Sequence, residues 1–241
     1  MEKRIYKTHT EAGSAIAADI ATLLNKKPNA VFCLAAGHSS LPVFAALVDS
    51  NMDFSRARFV TMDEWTGFDL NSQGSCSWFM RHHFYNRRQD IPERNILWFN
   101  PLATDLAAES ARMEVAIEQL GGIDYLLLGM GMNGHLALNE PGDRFDAGVH
   151  AVALAEKTRE VAVKYFKGDM PDLTGGITLG IKNMLASRQI CMCVFGVHKQ
   201  PVVQQLLQSQ VTESFPASVL KTVPKALLVL DADAAGENGA K

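Results

Sequence analysis

Short apolar runs alternate with amphipathic stretches along this chain. The apolar runs are nearly continuous rather than strictly alternating, which is typical of strands buried on both faces. They predict strands at residues 30–35, 57–62, 123–129, 190–195 and 226–231. The intervening stretches have helical spacing and predict helices at residues 10–25, 41–49, 76–85, 104–120, 177–186 and 199–207. The polar tail after residue 231 is expected to fray.

Strands that alternate with helices predict an α/β fold, in which a mostly parallel sheet carries helices on both faces. A length of 241 residues suits this architecture, and we expect residues 1–241 to form a single domain. In open parallel sheets, ligands bind beyond the carboxyl ends of the strands. The residues that directly follow the predicted strands are therefore the first candidates for chemistry.

Composition narrows the classes of function. The chain is 47% hydrophobic and 20% charged, which is ordinary for a globular protein, and its net charge of −3 gives no electrostatic reason to expect nucleic acid. Residues 1–13 lack an apolar signal core, and no apolar run is long enough to cross a bilayer. We therefore expect a cytoplasmic protein with no membrane partner. Its four cysteines are expected to be reduced, mostly buried thiols rather than part of a metal site.

The loop after the first predicted strand contains Gly37, His38, Ser39 and Ser40. Backbone N–H groups at the start of a helix, together with serine hydroxyls, can hold a phosphate. An ordinary strand-to-helix turn with a serine cap would contain the same residue types. This segment alone favours neither interpretation.

Two consecutive carboxylates, Asp63 and Glu64, follow the second predicted strand. Strand alternation sends them to different sides, so one can enter a cleft while the other meets solvent or a structural partner. A functional interpretation makes Asp63 a general base. A helix cap or a surface acidic turn is the more common explanation for such a pair.

Residues 129–142, GMGMNGHLALNEPG, form the most informative segment. They contain the spacing G-x-G-x-x-G after a strand, but a dinucleotide site needs a helix to begin at once, and Pro141 and Gly142 end any helix here. The glycine pattern is therefore interpreted as accidental. A long loop that presents His135 and Glu140 fits better, because a histidine beside a carboxylate can move protons near neutral pH. A structural turn with a solvated histidine is the simpler alternative.

Cations follow the later predicted elements. Lys199 comes just after the strand at 190–195 and could reach a phosphate as a point charge, and Lys164 and Arg159 are further cations of this kind. A solvated lysine at a helix start is the more frequent explanation in general.

These segments together resemble the glucosamine-6-phosphate deaminase and galactosamine-6-phosphate isomerase family, which shares its fold with the 6-phosphogluconolactonases. The similarity runs over about residues 5–232 and is carried by AAGHSSLP, FVTMDEWTGF, GMGMNGHLALNEPG, TGGITLGIKNML and VFGVHKQ. It implies a Rossmann-like sheet and an aldose–ketose isomerisation of a 2-amino-2-deoxyhexose 6-phosphate, coupled to the loss of ammonia. It also implies a small-molecule partner and no metal or organic cofactor, and it is compatible with a homo-oligomer.

The resemblance also implies residue roles. Asp63 corresponds to the base that moves the C2 proton to C1, His135 to the group that opens the sugar ring, and Glu140 to its orienting partner. The phosphate is expected at Gly37, His38, Ser39, Lys164 and Lys199. Backbone N–H groups of the loop containing Gly129, Gly131 and Gly134 are expected to stabilise the enolate-like charge.

The chain departs from the family pattern at two instructive positions. Asn133 stands where the glucosamine-6-phosphate enzymes usually have Asp, and an amide should give His135 a different tautomer or pKa and leave Glu140 as its sole acidic partner. Lys164 stands where Arg is usual. The loop motif resembles the galactosamine-type branch. Galactosamine 6-phosphate, converted to tagatose 6-phosphate and ammonia, is therefore the favoured reaction, with glucosamine 6-phosphate to fructose 6-phosphate next.

Two alternatives share this fold. A 6-phosphogluconolactonase-like hydrolase is disfavoured by the Asn-Glu-Pro ending of the loop, because lactonases typically have a DGHTASLFP-like segment there. A non-catalytic sugar-phosphate sensor is disfavoured because such proteins usually lose the acid and base residues, which this chain keeps as Asp63, His135 and Glu140.

Overall fold

The computed structural model describes residues 1–153 and 175–237. Their strands are β1 (Glu2–Tyr6), β2 (Val31–Leu34), β3 (Arg58–Val60), β4 (Asp63–Trp65), β5 (Ile96–Leu97), β6 (Tyr125–Leu128), β7 (His150–Ala153), β8 (Gly175–Thr178), β9 (Gln189–Val194) and β10 (Leu227–Asp231). Their helices are α1 (His9–Lys26), α2 (Leu41–Val48), α3 (Cys76–His83), α4 (Leu106–Gln119), α5 (Ile181–Leu185), α6 (Gln200–Gln208) and α7 (Ala232–Ala235), with several short 3₁₀ turns.

Seven of these strands form one parallel sheet in the order β1-β10-β9-β6-β2-β3-β5. Successive side chains of β2 enter opposite cores: Val31 and Cys33 pack in one hydrophobic cluster, and Phe32 and Leu34 in the other. Both faces of the sheet are therefore covered, which confirms the α/β architecture expected from the unbroken apolar runs.

A second, antiparallel sheet has the order β4-β8-β7. The chain leaves the main sheet after β3 and enters β4 three residues later, at Asp63. In the register of the small sheet, Asp63 lies opposite Thr178 of β8. The Leu179 amide then donates to the Met62 carbonyl at 2.8 Å, so the two sheets are joined directly beside Asp63.

Helix α1 shows why the local pattern was informative. The Thr8 hydroxyl accepts from the Glu11 amide and caps the helix. Its buried positions include Ala12, Ile16, Ile20 and Leu24, one face at a spacing of four residues. Of the described helices, none is long and apolar enough to cross a membrane.

Two local predictions were wrong. The helix predicted at 177–186 is restricted to Ile181–Leu185, because the preceding residues pair with β4 and β7 as strand β8. The tail after residue 231 does not fray at once, because the Asp231 carboxylate accepts from the Ala234 amide at 2.8 Å and caps α7. Both outcomes depend on partners that the local pattern does not contain.

Candidate active site

A cavity of about 610 Å³ lies at the carboxyl ends of the central parallel strands. It collects residues from the loops after β1, β2, β3, β6 and β9, as the rule for parallel sheets requires. The following site residues predicted from the sequence line this cavity: Gly37, His38, Ser39, Asp63, Gly129, Gly131, Asn133, His135 and Lys199. Lys164 and Arg159 lie outside the described residues.

The pair Asp63 and Glu64 divides between two environments. Asp63 lines the cavity, whereas Glu64 is fully buried. The Glu64 carboxylate accepts from the amides of Cys76 and Ser77, at 2.8 and 2.7 Å, and from the Ser77 hydroxyl. These amides belong to the first turn of α3, which has no earlier carbonyl to bond. Of the two alternatives for the second carboxylate, solvent or a structural partner, Glu64 has the structural one.

The environment of Asp63 suits a base. Burial raises the pKa of this carboxyl to about 7, and the neighbouring Glu64 charge adds to the rise, while a hydrogen bond from the Cys76 side chain opposes it. A general base is most efficient when its pKa lies near the working pH. Asp63 therefore combines access to the cavity with the proton affinity that abstraction from carbon requires.

The segment 129–142 is a folded loop and contains no helix. Gly131 donates to the His135 carbonyl and Gly134 to the Gly131 carbonyl, both at 3.0 Å. Gly134 has a φ of 82°, and a Cβ there would meet the ring of Phe215 at 2.4 Å. The glycines therefore allow a tight turn. This agrees with the interpretation that the G-x-G-x-x-G spacing is accidental.

The same hydrogen bonds correct one expectation. The N–H groups of Gly131 and Gly134 are engaged inside the loop, so neither is available to stabilise a negative charge on a substrate. A glycine-rich sequence suggests exposed backbone N–H groups, but here these two groups form hydrogen bonds within the turn.

A buried amide anchors the far end of this loop. Asn139 is inaccessible to solvent, and its Nδ2 donates to the carbonyls of Leu136 and Leu179, at 2.9 and 2.8 Å. The Leu138 amide donates to the Thr178 hydroxyl at 3.3 Å. The loop is thus fixed to strand β8 and the residue after it, the same strand that pairs with Asp63.

His135, Asn133 and Glu140 form a linked set. The ring Nδ1 of His135 lies 2.8 Å from Asn133 Oδ1, and Asn133 Nδ2 donates to Glu140 Oε2, also at 2.8 Å. Glu140 Oε1 is 3.8 Å from the ring nitrogen, which is too long for a hydrogen bond. Glu140 therefore shares no direct hydrogen bond with the ring, and the Asn133 amide lies between them.

Electrostatics keep His135 neutral. Burial lowers the pKa of the imidazole, the Glu140 charge raises it, and the Lys199 charge lowers it again, with a net decrease. Lys199 is itself held in place, since its Nζ donates to the Met130 carbonyl at 2.6 Å. A neutral ring has one N–H donor and one acceptor nitrogen, which allows it to deliver and to take up a proton.

The expected phosphate end is formed by a 3₁₀ turn at His38–Ser40 that leads into α2. The Ser40 hydroxyl is buried without a hydrogen-bond partner among the described residues, although Ser40 also lines the cavity. His9 and His198 line the cavity as well, and the sequence interpretation missed both as site residues. Each of them follows a strand of the parallel sheet, which is the signal that could have identified both. Strand β1 before His9 was not predicted, and after β9 only Lys199 was selected.

At the carboxyl edge of this parallel sheet, a carboxylate with a raised pKa and a histidine with a lowered pKa supply the groups that acid–base chemistry needs. The chain belongs to the family described as glucosamine-6-phosphate isomerases/6-phosphogluconolactonase, whose model matches residues 6–228. The glucosamine-6-phosphate deaminase of Geobacillus sp. (strain WCH70) is 36% identical, over 96% of this chain and 94% of the relative. That of Bacillus pumilus (strain SAFR-032) is 33% identical, over 95% and 96%.

Solved structures agree. A structure described as a monomeric glucosamine-6-phosphate deaminase superimposes with a TM-score of 0.94 at 31% identity, covering 98% of this chain and 100% of that one. The 6-phosphogluconolactonase of Trypanosoma brucei superimposes with a TM-score of 0.75 at 20% identity, covering 98% and 97%. The second match shows a shared fold only.

Proposed function

We propose that this protein converts a 2-amino-2-deoxyhexose 6-phosphate and water into a ketose 6-phosphate and ammonia. The observation that carries the proposal is that one cavity holds both a carboxylate with a pKa of about 7, Asp63, and a partly buried histidine, His135. Proton transfer at carbon and ring opening need these two functions in one place.

Substrate anchoring comes first in the proposed reaction. Lys199 and the turn that contains Gly37, His38 and Ser39 hold the phosphate, with Lys164 as a further expected contact outside the described residues. A fixed phosphate orients the sugar and converts part of the binding energy into alignment of the reacting atoms. His135 then moves a proton at the ring oxygen, which gives the open-chain aldehyde.

Isomerisation follows. Asp63 takes the proton from C2 of the open chain, and the electron pair forms an enol-type double bond between C1 and C2. A proton from the ammonium group moves to the C1 oxygen, the same carboxyl returns its proton to C1, and a protonated C=N group remains at C2. Water adds to this imine carbon and ammonia leaves, so atoms and charge balance. Burial that raises the pKa of Asp63 also makes its carboxylate a stronger base toward the weakly acidic C–H group.

The configuration at C4 is the finer part of the proposal. The glucosamine-6-phosphate deaminase names of the relatives support glucosamine 6-phosphate, with fructose 6-phosphate as product. Asn133 and the loop around it favoured galactosamine 6-phosphate at the level of sequence. We propose glucosamine 6-phosphate as the main substrate and galactosamine 6-phosphate as the second candidate.

An ammonia-release assay on both amino sugars tests the proposal, with 6-phosphogluconolactone as the comparison substrate. We expect ammonia from at least one amino sugar, and a kcat lower by about 10²–10⁴-fold in Asp63→Asn. Asp69→Asn, an exposed acid in the loop that follows, is the matched control and should retain activity. Lactone hydrolysis without ammonia release, or full activity in Asp63→Asn, would overturn the assignment.

A further inference from the structure

The imidazole of His135 contacts an amide, and an amide has two chemically opposite ends. If the Asn133 oxygen faces the ring, Nδ1 must carry the proton; if the nitrogen faces it, Nδ1 must be the acceptor. The two orientations have nearly the same shape. The neighbours of the Asn133 side chain therefore decide which ring nitrogen of His135 is protonated.

Two independent neighbours require the same orientation of Asn133. Glu140 Oε2 lies 2.8 Å from Nδ2, and an ionised carboxylate only accepts hydrogen bonds. The backbone N–H of His135 lies 3.2 Å from Oδ1, and an N–H only donates. A reversed amide would place acceptor against acceptor on one side and donor against donor on the other.

We propose that Asn133 is a positioning residue that sets the tautomer of His135. Glu140 orients the amide, the amide oxygen accepts the proton on Nδ1, and Nε2 becomes the nitrogen that takes and returns protons. Glu140 thereby determines the tautomer of a ring with which it shares no hydrogen bond, through the two hydrogen bonds of the Asn133 amide. The kinetic part of the proposal rests on the proposed function, whereas the tautomer is a property of the free protein.

Asn in place of Asp was predicted to give His135 a different tautomer or pKa, and this arrangement favours a different pKa. An aspartate at this position would also accept from Nδ1, so the tautomer is the same. The difference is in charge, because the amide is neutral and the nearest carboxylate oxygen is 3.8 Å from Nδ1. Burial and Lys199 then prevail over Glu140 and lower the pKa of the ring.

A simpler role for Asn133 is to cap the turn. Its Oδ1 accepts from the backbone N–H of His135 two residues ahead, as in a local Asx turn. That role needs neither Glu140 nor a defined ring tautomer. The two interpretations therefore differ in what happens to the ring when Glu140 changes.

The experiment is ¹⁵N NMR of the imidazole rings in protein labelled at histidine, above the pKa of the ring and without substrate. The chain has seven histidines, and the signals of His135 are identified by their absence from the His135→Gln spectrum. We expect the Nδ1–H tautomer in the unsubstituted protein. In Glu140→Gln the side-chain amide can bond either end of Asn133, so Nε2–H should gain population.

Two further variants make the test specific. Asp143→Asn is the matched control, because Asp143 accepts from the Glu140 amide at 2.7 Å without a contact to the ring, and it should leave the tautomer unchanged. Asn133→Asp combined with Glu140→Gln should restore Nδ1–H, since a carboxylate accepts in either orientation. In Glu140→Gln, kcat should fall by between about tenfold and 10⁴-fold, the upper figure being the loss measured when a catalytic histidine takes the wrong tautomer, and the double substitution should recover part of it.

Nε2–H in the unsubstituted protein would overturn the proposal. An unchanged tautomer in Glu140→Gln would overturn the part assigned to Glu140, because the His135 N–H would then suffice to orient the amide. These outcomes leave the proposed function standing if ammonia is still released. Conversely, an Nδ1–H ring that responds to Glu140→Gln in a protein without ammonia release would retain Asn133 as the positioning residue and reject the proposed reaction.

Discussion

Asp63 and Glu64 are consecutive in the chain, yet Asp63 lines the cavity and Glu64 is buried against the first turn of α3. The Glu64 carboxylate accepts hydrogen bonds from N–H and O–H donors, whereas the partly buried Asp63 carboxylate accepts one from the Cys76 side chain. Two like charges on adjacent residues then act on each other across a medium that screens weakly. Glu64 therefore helps to raise the pKa of Asp63, the proposed base.

The pH dependence of kcat/KM should report Asp63. The base must be ionised, and its pKa is raised to about 7, so kcat/KM should rise with pH through that value instead of near 4. Glu64→Gln removes the neighbouring negative charge, which lowers the pKa of Asp63 and should move the acid limb to lower pH. A limb near pH 4 in the unsubstituted protein would contradict the assignment. Thermal melting of Glu64→Gln verifies that the variant is folded.

Stability should depend on the same group. Between the ordinary Asp pKa of 3.8 and about 7, the folded protein holds a proton that the unfolded chain has lost. This contribution to the free energy of unfolding is therefore complete below pH 3.8 and lost as the pH rises through about 7. Asp63→Asn cannot ionise, so its melting temperature should exceed that of the unsubstituted protein at pH 8, with the gap closing toward pH 4. A gap that is the same at both pH values, or equal in Asp69→Asn, would argue against this origin.

Gly131 should be intolerant of any side chain for a reason of space. A Cβ at this position would lie 2.3 Å from Nδ1 and Cε1 of His135, so Gly131→Ala must displace the ring. We expect kcat to fall by at least about 10²-fold, the scale of a lost acid–base group, with a destabilisation of about 1–3 kcal/mol. Gly129→Ala, where a Cβ meets nothing within 4 Å, should lose far less. Equal losses in both variants would show that the ring is not the cause.

The thiol of Cys76 should react slowly although it lines the cavity. Burial raises the pKa of Cys76 well above its usual 9.0, and the charges of Asp63 and Glu64 raise it further. The thiolate is the reactive form, so iodoacetamide should modify Cys76 slowly at pH 8. Asp63→Asn removes one of these charges and should accelerate the modification, as measured by mass spectrometry of the Cys76 peptide. No acceleration would mean that Asp63 does not influence the thiol.

Much of the site was predictable because its residues obey a rule of parallel sheets. Asp63, His135 and Lys199 each follow a separate apolar strand, and the carboxyl ends of neighbouring strands meet at one edge. The sequence therefore grouped residues that are more than sixty positions apart. The sequence also predicted that Asp63 and Glu64 point to different sides, because the alternation of side chains along a strand is a local property.

Other features depend on partners far away in the chain. The helix was predicted to begin at residue 177, but residues 177 and 178 pair with β4, more than one hundred positions earlier, and belong to strand β8. The place of Asn133 between Glu140 and His135 depends on side-chain conformations, which the replacement of a carboxylate by an amide does not reveal in the sequence. The engaged N–H groups of Gly131 and Gly134 follow from a turn whose hydrogen bonds no spacing rule encodes.

Strand β8 links the two halves of the proposed chemistry. Thr178 lies opposite Asp63 in the small sheet, and its hydroxyl accepts from Leu138 in the loop that carries His135. The spacing between base and imidazole therefore depends on the four residues of β8, which do not line the cavity and of which the last three are buried. In a directed-evolution experiment, substitutions in β8 would therefore change the turnover of each enzyme molecule, while random surface substitutions would change the yield of folded protein.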